Sequence, residues 1–227
     1  MSIPRKKLFF LALFSIVGFI SLQIPFNKIL GSSVSFTLFD FFGPIAGAFL
    51  GPVFGIASVL GVEVVNLFIK HTPLNAGSII RLFPTLFAVY YFAVIAKKGN
   101  GSTSLTNILI LAVPILCIIA FIVHPIGRQV PYYPLFFWWI PIAAYFKRNN
   151  LFLKSLGATF TAHAVGSTAF LYALNLPTEV WRSLPPIVVS ERLLFASGIA
   201  ASYIIVKHSL SFLANKRILP KLEISTS

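Results

Sequence analysis

Six ionisable side chains stand inside stretches of sequence that are otherwise apolar: Asp40, Glu63, Arg81, His163, Glu191 and Arg192. A charge in hydrocarbon is costly, so residues of this kind are candidates for binding, proton transfer or ion pairing. The carboxylates accept hydrogen bonds from a polar solute or pair with a cation, and a guanidinium holds an anionic group through two parallel bonds. Asn66 follows Glu63 by three residues, on the same helical face, and adds an amide that both donates and accepts. At about 1.5 Å of rise per residue, Asp40, Arg81, Glu191 and Arg192 fall within a turn or two of one end of their segments, and Glu63 lies somewhat deeper. All five occupy the same half of a bilayer. They either line a polar pocket that opens outward or form a structural network, with Glu63 and Arg81 the obvious pair and the arginines snorkelling to the interface. Composition and spacing leave both readings open.

His163 belongs to a second group. Thr159, His163 and Ser167 share one face of their helix, with Gly166 close by, and such a face lines a cavity or hydrogen-bonds a neighbouring helix. An intramembrane enzyme acting on a lipid or isoprenoid would use His163 with Glu63 or Glu191 for acid/base work. Recognisable catalytic signatures are missing: the sequence has no HExxH, no nucleophile elbow, no Walker loop and no GxGxxG. His71, His124, His163 and His208 share no metal-ligand spacing. Neither a metal nor a cofactor is expected. Cys117 is the single cysteine, so no intrachain disulfide can form.

These residues have to be positioned by a membrane-embedded helical bundle. The chain has 227 residues, 57% hydrophobic and 10% charged, with mean hydropathy +0.90, whereas soluble domains average about 25% charged. The sequence predicts one all-α, polytopic integral membrane domain of about eight segments: 8–24, 36–49, 52–69, 77–96, 105–123, 135–146, 151–174 and 187–213. A polar loop at 99–104 is the clearest internal break, and 176–186 forms a connection containing Trp181. The formal charge of +13 would point to nucleic acid if it formed one patch or stripe, but the basic residues fall in small groups between apolar segments. Placing the N-terminus in the cytoplasm puts Arg5, Lys6, Lys7, Lys97, Lys98, Lys147, Arg148, Lys154, Lys207, Lys216, Arg217 and Lys221 at cytoplasmic ends. Lys28, Lys70, Arg128 and Arg182 then lie outside, in agreement with the positive-inside rule. Both termini are therefore expected in the cytoplasm, in a cell (inner) membrane.

Small residues recur at helical spacing. Gly43, Gly47, Gly51 and Gly55 form a ladder at intervals of four, and Pro52 interrupts it, so segments 36–49 and 52–69 are expected to make a tight hairpin. Ala158, Ala162 and Gly166 mark one face of the seventh segment. Such stripes let backbones approach closely. They serve plain helix packing, a sliding surface, or contact with another membrane protein in an assembly.

The stretch Phe36-Thr37-Leu38-Phe39-Asp40-Phe41, followed by Pro44, Gly47, Leu50-Gly51-Pro52, Gly55-Ile56 and Asn66-Leu67, resembles the second and third helices of the substrate-binding S components of energy-coupling factor (ECF) vitamin transporters, the riboflavin type most nearly. The resemblance implies a six-helix core, with residues 105–147 as an inserted pair. It further implies capture of a small vitamin-like solute from the outer side, in partnership with a coupling transmembrane subunit and two ATPases. Asp40, Glu63, Asn66, Arg81, His163, Glu191 and Arg192 would be the residues near the solute, with Phe39, Phe41 and Trp181 available to stack on a flat ring.

Overall fold

Prolines and glycines set the breaks between helices in the computed structural model, which describes residues 5–28, 35–96, 104–174 and 176–220. Lys97, Lys98, Lys221 and residues 99–103 of the polar loop lie outside the described residues. Helix α1 (Arg5–Leu22) leads into two short antiparallel strands, β1 (Pro25–Lys28) and β2 (Ser35–Thr37). Helix α2 (Phe39–Phe42) and a 3-10 turn (Gly43–Ile45) then run into α3 (Ala46–Ile69). The next segment is two helices, α4 (Ala76–Ile80) and α5 (Phe83–Ala96). Pro84 causes that break, because it has no N–H to bond the Ile80 carbonyl four residues back and its ring crowds that carbonyl.

Helix α6 (Ser104–Val123) is followed by a 3-10 turn (Gly127–Gln129) and by α7 (Tyr132–Phe137) and α8 (Ile140–Phe146). Pro141 separates α7 from α8 as Pro84 separates α4 from α5, by leaving the Phe137 carbonyl without its intrahelical donor. Helix α9 (Leu151–Leu174) matches its expected span. Within the connection expected at 176–186 there is a short helix, α10 (Thr178–Ser183), and α11 (Pro185–Asn215) opens on two prolines, which a first turn tolerates.

Gly51 is the sharpest feature of the bundle. Its φ of 79° and ψ of 173° interrupt α3, in a region of backbone space open essentially to glycine alone. The chain doubles back there, and a Cβ built on Gly55 would lie 2.9 Å from the Gly47 Cα. Eight residues along a straight helix would be about 12 Å apart. Gly47 also rests on the Val89 carbonyl of α5, and Gly43 meets Thr85 there. Gly51 itself has nothing within 4 Å of its would-be Cβ, so it serves the turn and not the packing. On α9, Ala158 is fully buried and Gly166 accommodates Pro84.

Two apolar cores result. One gathers Phe10, Phe14, Phe42, Phe49, Val89, Phe92 and their neighbours from α1, α2, α3, α5 and α11. The other is aromatic, built from Phe121, Tyr133, Phe137, Trp138, Phe160 and Trp181. Helix α9 stands between them, packed against α5, α6, α8 and α11. The segment 105–147, expected as an inserted pair, supplies much of the aromatic core through α6 and α7.

Among the described residues, four helical stretches are long and apolar enough to cross a membrane: Phe39–Ile69, Ala76–Ala96, Leu105–Val123 and Pro185–Asn215. Eight segments were expected, and the difference has local causes. The first stretch contains two expected segments joined through Gly51. Helix α1 carries Arg5, Lys6 and Lys7 in its own first turn. Helices α7 and α8 are each too short, and α9 is diluted by Ser155, Thr159, Thr161, His163, Ser167 and Thr168. The β1–β2 ribbon was not anticipated; strands of four and three residues are too short for alternation to register.

Candidate functional site

Four helices converge on a small cavity of about 30 Å³ lined by Asp40, Pro44, Thr85, Ala88, Thr159, Ala162, Arg192, Phe195 and Ile199. Asp40 comes from the first turn of α2, Thr85 from that of α5, Thr159 from the middle of α9 and Arg192 from the second turn of α11. Each is brought inward by close packing behind it. Gly43 and Gly47 seat the α2–α3 turn on α5, and Gly198 makes room on α11 for the Phe41 ring.

Arg192 organises the site. Its side chain is buried; one terminal nitrogen donates to the Thr159 hydroxyl at 3.2 Å, and the other lies 3.6 Å from a Glu191 carboxylate oxygen. The guanidinium lies over the Phe195 ring at 4.3 Å and the Phe36 ring at 5.7 Å, a geometry in which the ring face attracts the cation. Its Nε has no hydrogen-bond partner among the described residues. Asp40 accepts the Thr37 N–H at 2.8 Å, which ties the end of the ribbon to α2, and it interacts through space with both Arg192 and Arg81.

Glu63 interacts with the Thr85 hydroxyl and electrostatically with Asp40 and Arg81. Its Oε2 is buried and unpartnered among the described residues. Arg81, at the end of α4, is exposed and acts on Asp40 and Glu63 at a distance. The contact pairing is therefore Arg192 with Glu191, instead of Glu63 with Arg81. Asp40, Glu63, Arg81, Glu191 and Arg192 do form one connected electrostatic group. A buried donor and a buried acceptor within it both lack partners, each at a cost of about 1–3 kcal/mol.

Asn66 is not part of this group. Its side-chain oxygen accepts from Gln23 at 3.0 Å on the exposed seam of α1 and α3. His163 is adjacent but fully engaged: the Trp138 indole donates to its Nδ1 at 3.1 Å and Tyr133 Oη lies 3.0 Å from its Nε2. An indole N–H can only donate, so Nδ1 accepts and the ring proton sits on Nε2, pointing at the Tyr133 oxygen. Phe137 and Phe160 close the remaining sides with centroids 6.0 Å from the imidazole. With both nitrogens occupied, His163 has no free lone pair to act as a base.

Phe39, Phe41 and Trp181, the rings named as available to a solute, do not line the cavity. Trp181 is 2% exposed, inside the aromatic core, donating to the Leu176 carbonyl. Phe39 is turned toward Gly18 of α1. Phe195 and Phe36 face the guanidinium, Phe26 of β1 lies against Phe41 at 4.6 Å, and the ribbon thus sets two rings, Phe26 and Phe36, against Phe195, which lines the cavity. Phe195 was legible in principle, three residues after Arg192 and so on its face of the helix. Thr85 carried no comparable signal. Among the described residues no three His, Cys, Asp or Glu side chains are grouped to hold a metal ion.

No protein-family profile matches the chain, and no solved structure matches it. The chain is similar to an uncharacterized protein of Methanocaldococcus jannaschii, at 28% identity over 230 residues that cover 92% of this chain and 74% of that protein.

Proposed function

We propose that this is a multi-pass protein of the cell membrane that captures a small polar, vitamin-like solute from the outer side, in the manner of an ECF S component, and works with a separate coupling subunit and ATPases. The observation that carries the reading is the pair of unpartnered buried atoms, Arg192 Nε and Glu63 Oε2, within a charged group that the bundle pays to keep in its interior. A solute presenting an acceptor to the first and a donor to the second would satisfy both. In this reading α1, α7–α8 and α9 also cross the bilayer, giving eight segments with both termini cytoplasmic, and the aromatic ribbon faces outward.

A cavity of about 30 Å³ has room for roughly one water, whereas small-molecule pockets run to about 300–1,000 Å³. In this reading the β1–β2 ribbon moves to enlarge the cavity, carrying Phe26 and Phe36 off Phe195. The test is mass spectrometry of small molecules retained by the purified protein, together with binding measured against a vitamin panel. Wild type should hold one compound stoichiometrically, and Glu63→Ala should lose it while keeping the wild-type elution profile. A correctly folded wild type that binds no member of the panel and retains nothing would refute the reading.

A further inference from the structure

An apolar groove of about 460 Å³, sharing no lining residue with the cavity of the charged cluster, is lined by Tyr132, Tyr133, Leu135, Phe136, Phe137 and Pro185. Its walls are α7 and the start of α11. Leu135 and Phe136 are 54% and 62% exposed, so in a membrane-embedded chain this face contacts lipid. Two cations are tied to its lining residues by short stretches of chain. Arg128 precedes Tyr132 by four residues and Arg182 precedes Pro185 by three, distances the chain cannot stretch beyond about 14 Å and 10 Å. Both side chains are exposed. Arg182 makes no hydrogen bond or ion pair among the described residues, and Arg128 makes one long bond, to the Val123 carbonyl at 3.4 Å. The two pieces of chain that carry them are fastened together, since the Thr178 hydroxyl donates to the Gln129 side chain at 3.2 Å. Glu179, one turn before Arg182, is the acid on that rim.

We infer that this groove is a binding site for an anionic glycerophospholipid, with one acyl chain lying along Tyr133, Leu135, Phe136 and Pro185 and the phosphate held between Arg128 and Arg182. Apolar lining selects a chain, and two exposed guanidiniums held within a few residues of that lining select a negative headgroup. The inference requires only that the chain is embedded in a membrane. It stands or falls independently of the solute reading.

All three tryptophans, Trp138, Trp139 and Trp181, lie in or beside this region, and Trp139 is 53% exposed, so brominated acyl chains report on the groove by quenching. The full chain is reconstituted in phosphatidylcholine vesicles containing a low mole fraction of either brominated phosphatidylglycerol or brominated phosphatidylcholine. Wild type should prefer the anionic lipid by roughly fivefold per guanidinium. The double variant Arg128→Gln/Arg182→Gln should quench equally with both lipids. Lys147→Gln/Arg148→Gln, at the far end of α8, should keep the preference, and soluble glycerol phosphate should leave the quenching unchanged. Equal quenching of wild type by the two lipids overturns the inference. So does a preference that survives the Arg128/Arg182 change, one that vanishes as completely in the Lys147/Arg148 control, or displacement by glycerol phosphate.

Discussion

Arg192 shows how much one side chain can hold in place within a bilayer. It pairs with Glu191, donates to Thr159 and lies against Phe195 and Phe36, so its loss leaves Glu191 without its cation and Asp40 with Arg81 alone. Removing one member of a buried pair costs about 3–5 kcal/mol. Arg192→Ala should therefore lower the unfolding temperature in detergent sharply. Adding Glu191→Gln should recover part of the loss, because the second change removes the stranded charge; a double-mutant cycle with no coupling would contradict the pairing. Much of this cluster was legible in the sequence, since an arginine and three carboxylates in apolar segments are conspicuous by cost alone. The pairing was not, because Glu63 with Arg81 is the obvious pair by depth and adjacent residues such as Glu191 and Arg192 do not share a helix face, yet these two are in contact. Asn66 was misplaced for the same reason: the three-residue spacing from Glu63 puts both on one broad face, and α1 divides that face by offering Gln23 to Asn66.

At the scale of the element, breaks carry more information than spans. The limits of α9 and α6 follow closely from hydropathy, while the interruptions at residues 81–82 and 138–139 follow from Pro84 and Pro141, which single-residue rules identify but do not weight. Gly51 and Gly55 make the distinction testable. At Gly51 a methyl group would meet no neighbour, so Gly51→Ala should cost only the backbone strain of its φ and ψ, about 1–3 kcal/mol. Gly55→Ala places a Cβ 2.9 Å from the Gly47 backbone, which cannot move aside as a flexible side chain would. It should cost more and open the hairpin. Thermal unfolding of the two variants in the same detergent checks the order, and a larger loss at Gly51 than at Gly55 would be inconsistent with the close approach of Gly47 and Gly55.

For the whole molecule, the charge asymmetry becomes an orientation that can be measured. Cys117 is the single cysteine, so Cys117→Ala gives a background for site-directed labelling. On the proposed topology, Ser183→Cys should react with a membrane-impermeant maleimide added to intact cells, whereas Asn150→Cys should react only after the membrane is opened. The reverse pattern would invert the bundle and place the aromatic ribbon in the cytoplasm. The excess of positive charge that stands out in the composition is, on this view, mostly an address written on the loops. The few charges within helices carry the chemistry.

Phe36 has two roles that pull against each other, as a cover over the site and as the face on which the Arg192 cation rests. In the proposed opening, lifting the ribbon exposes aromatic surface, which is unfavourable, but it also admits water to a guanidinium whose Nε has no partner among the described residues, which is favourable. On the proposed function the two contributions have opposite signs, so lifting the ribbon exchanges aromatic burial for hydration of the guanidinium. On that reading solute occupancy should respond to water activity as well as to solute concentration.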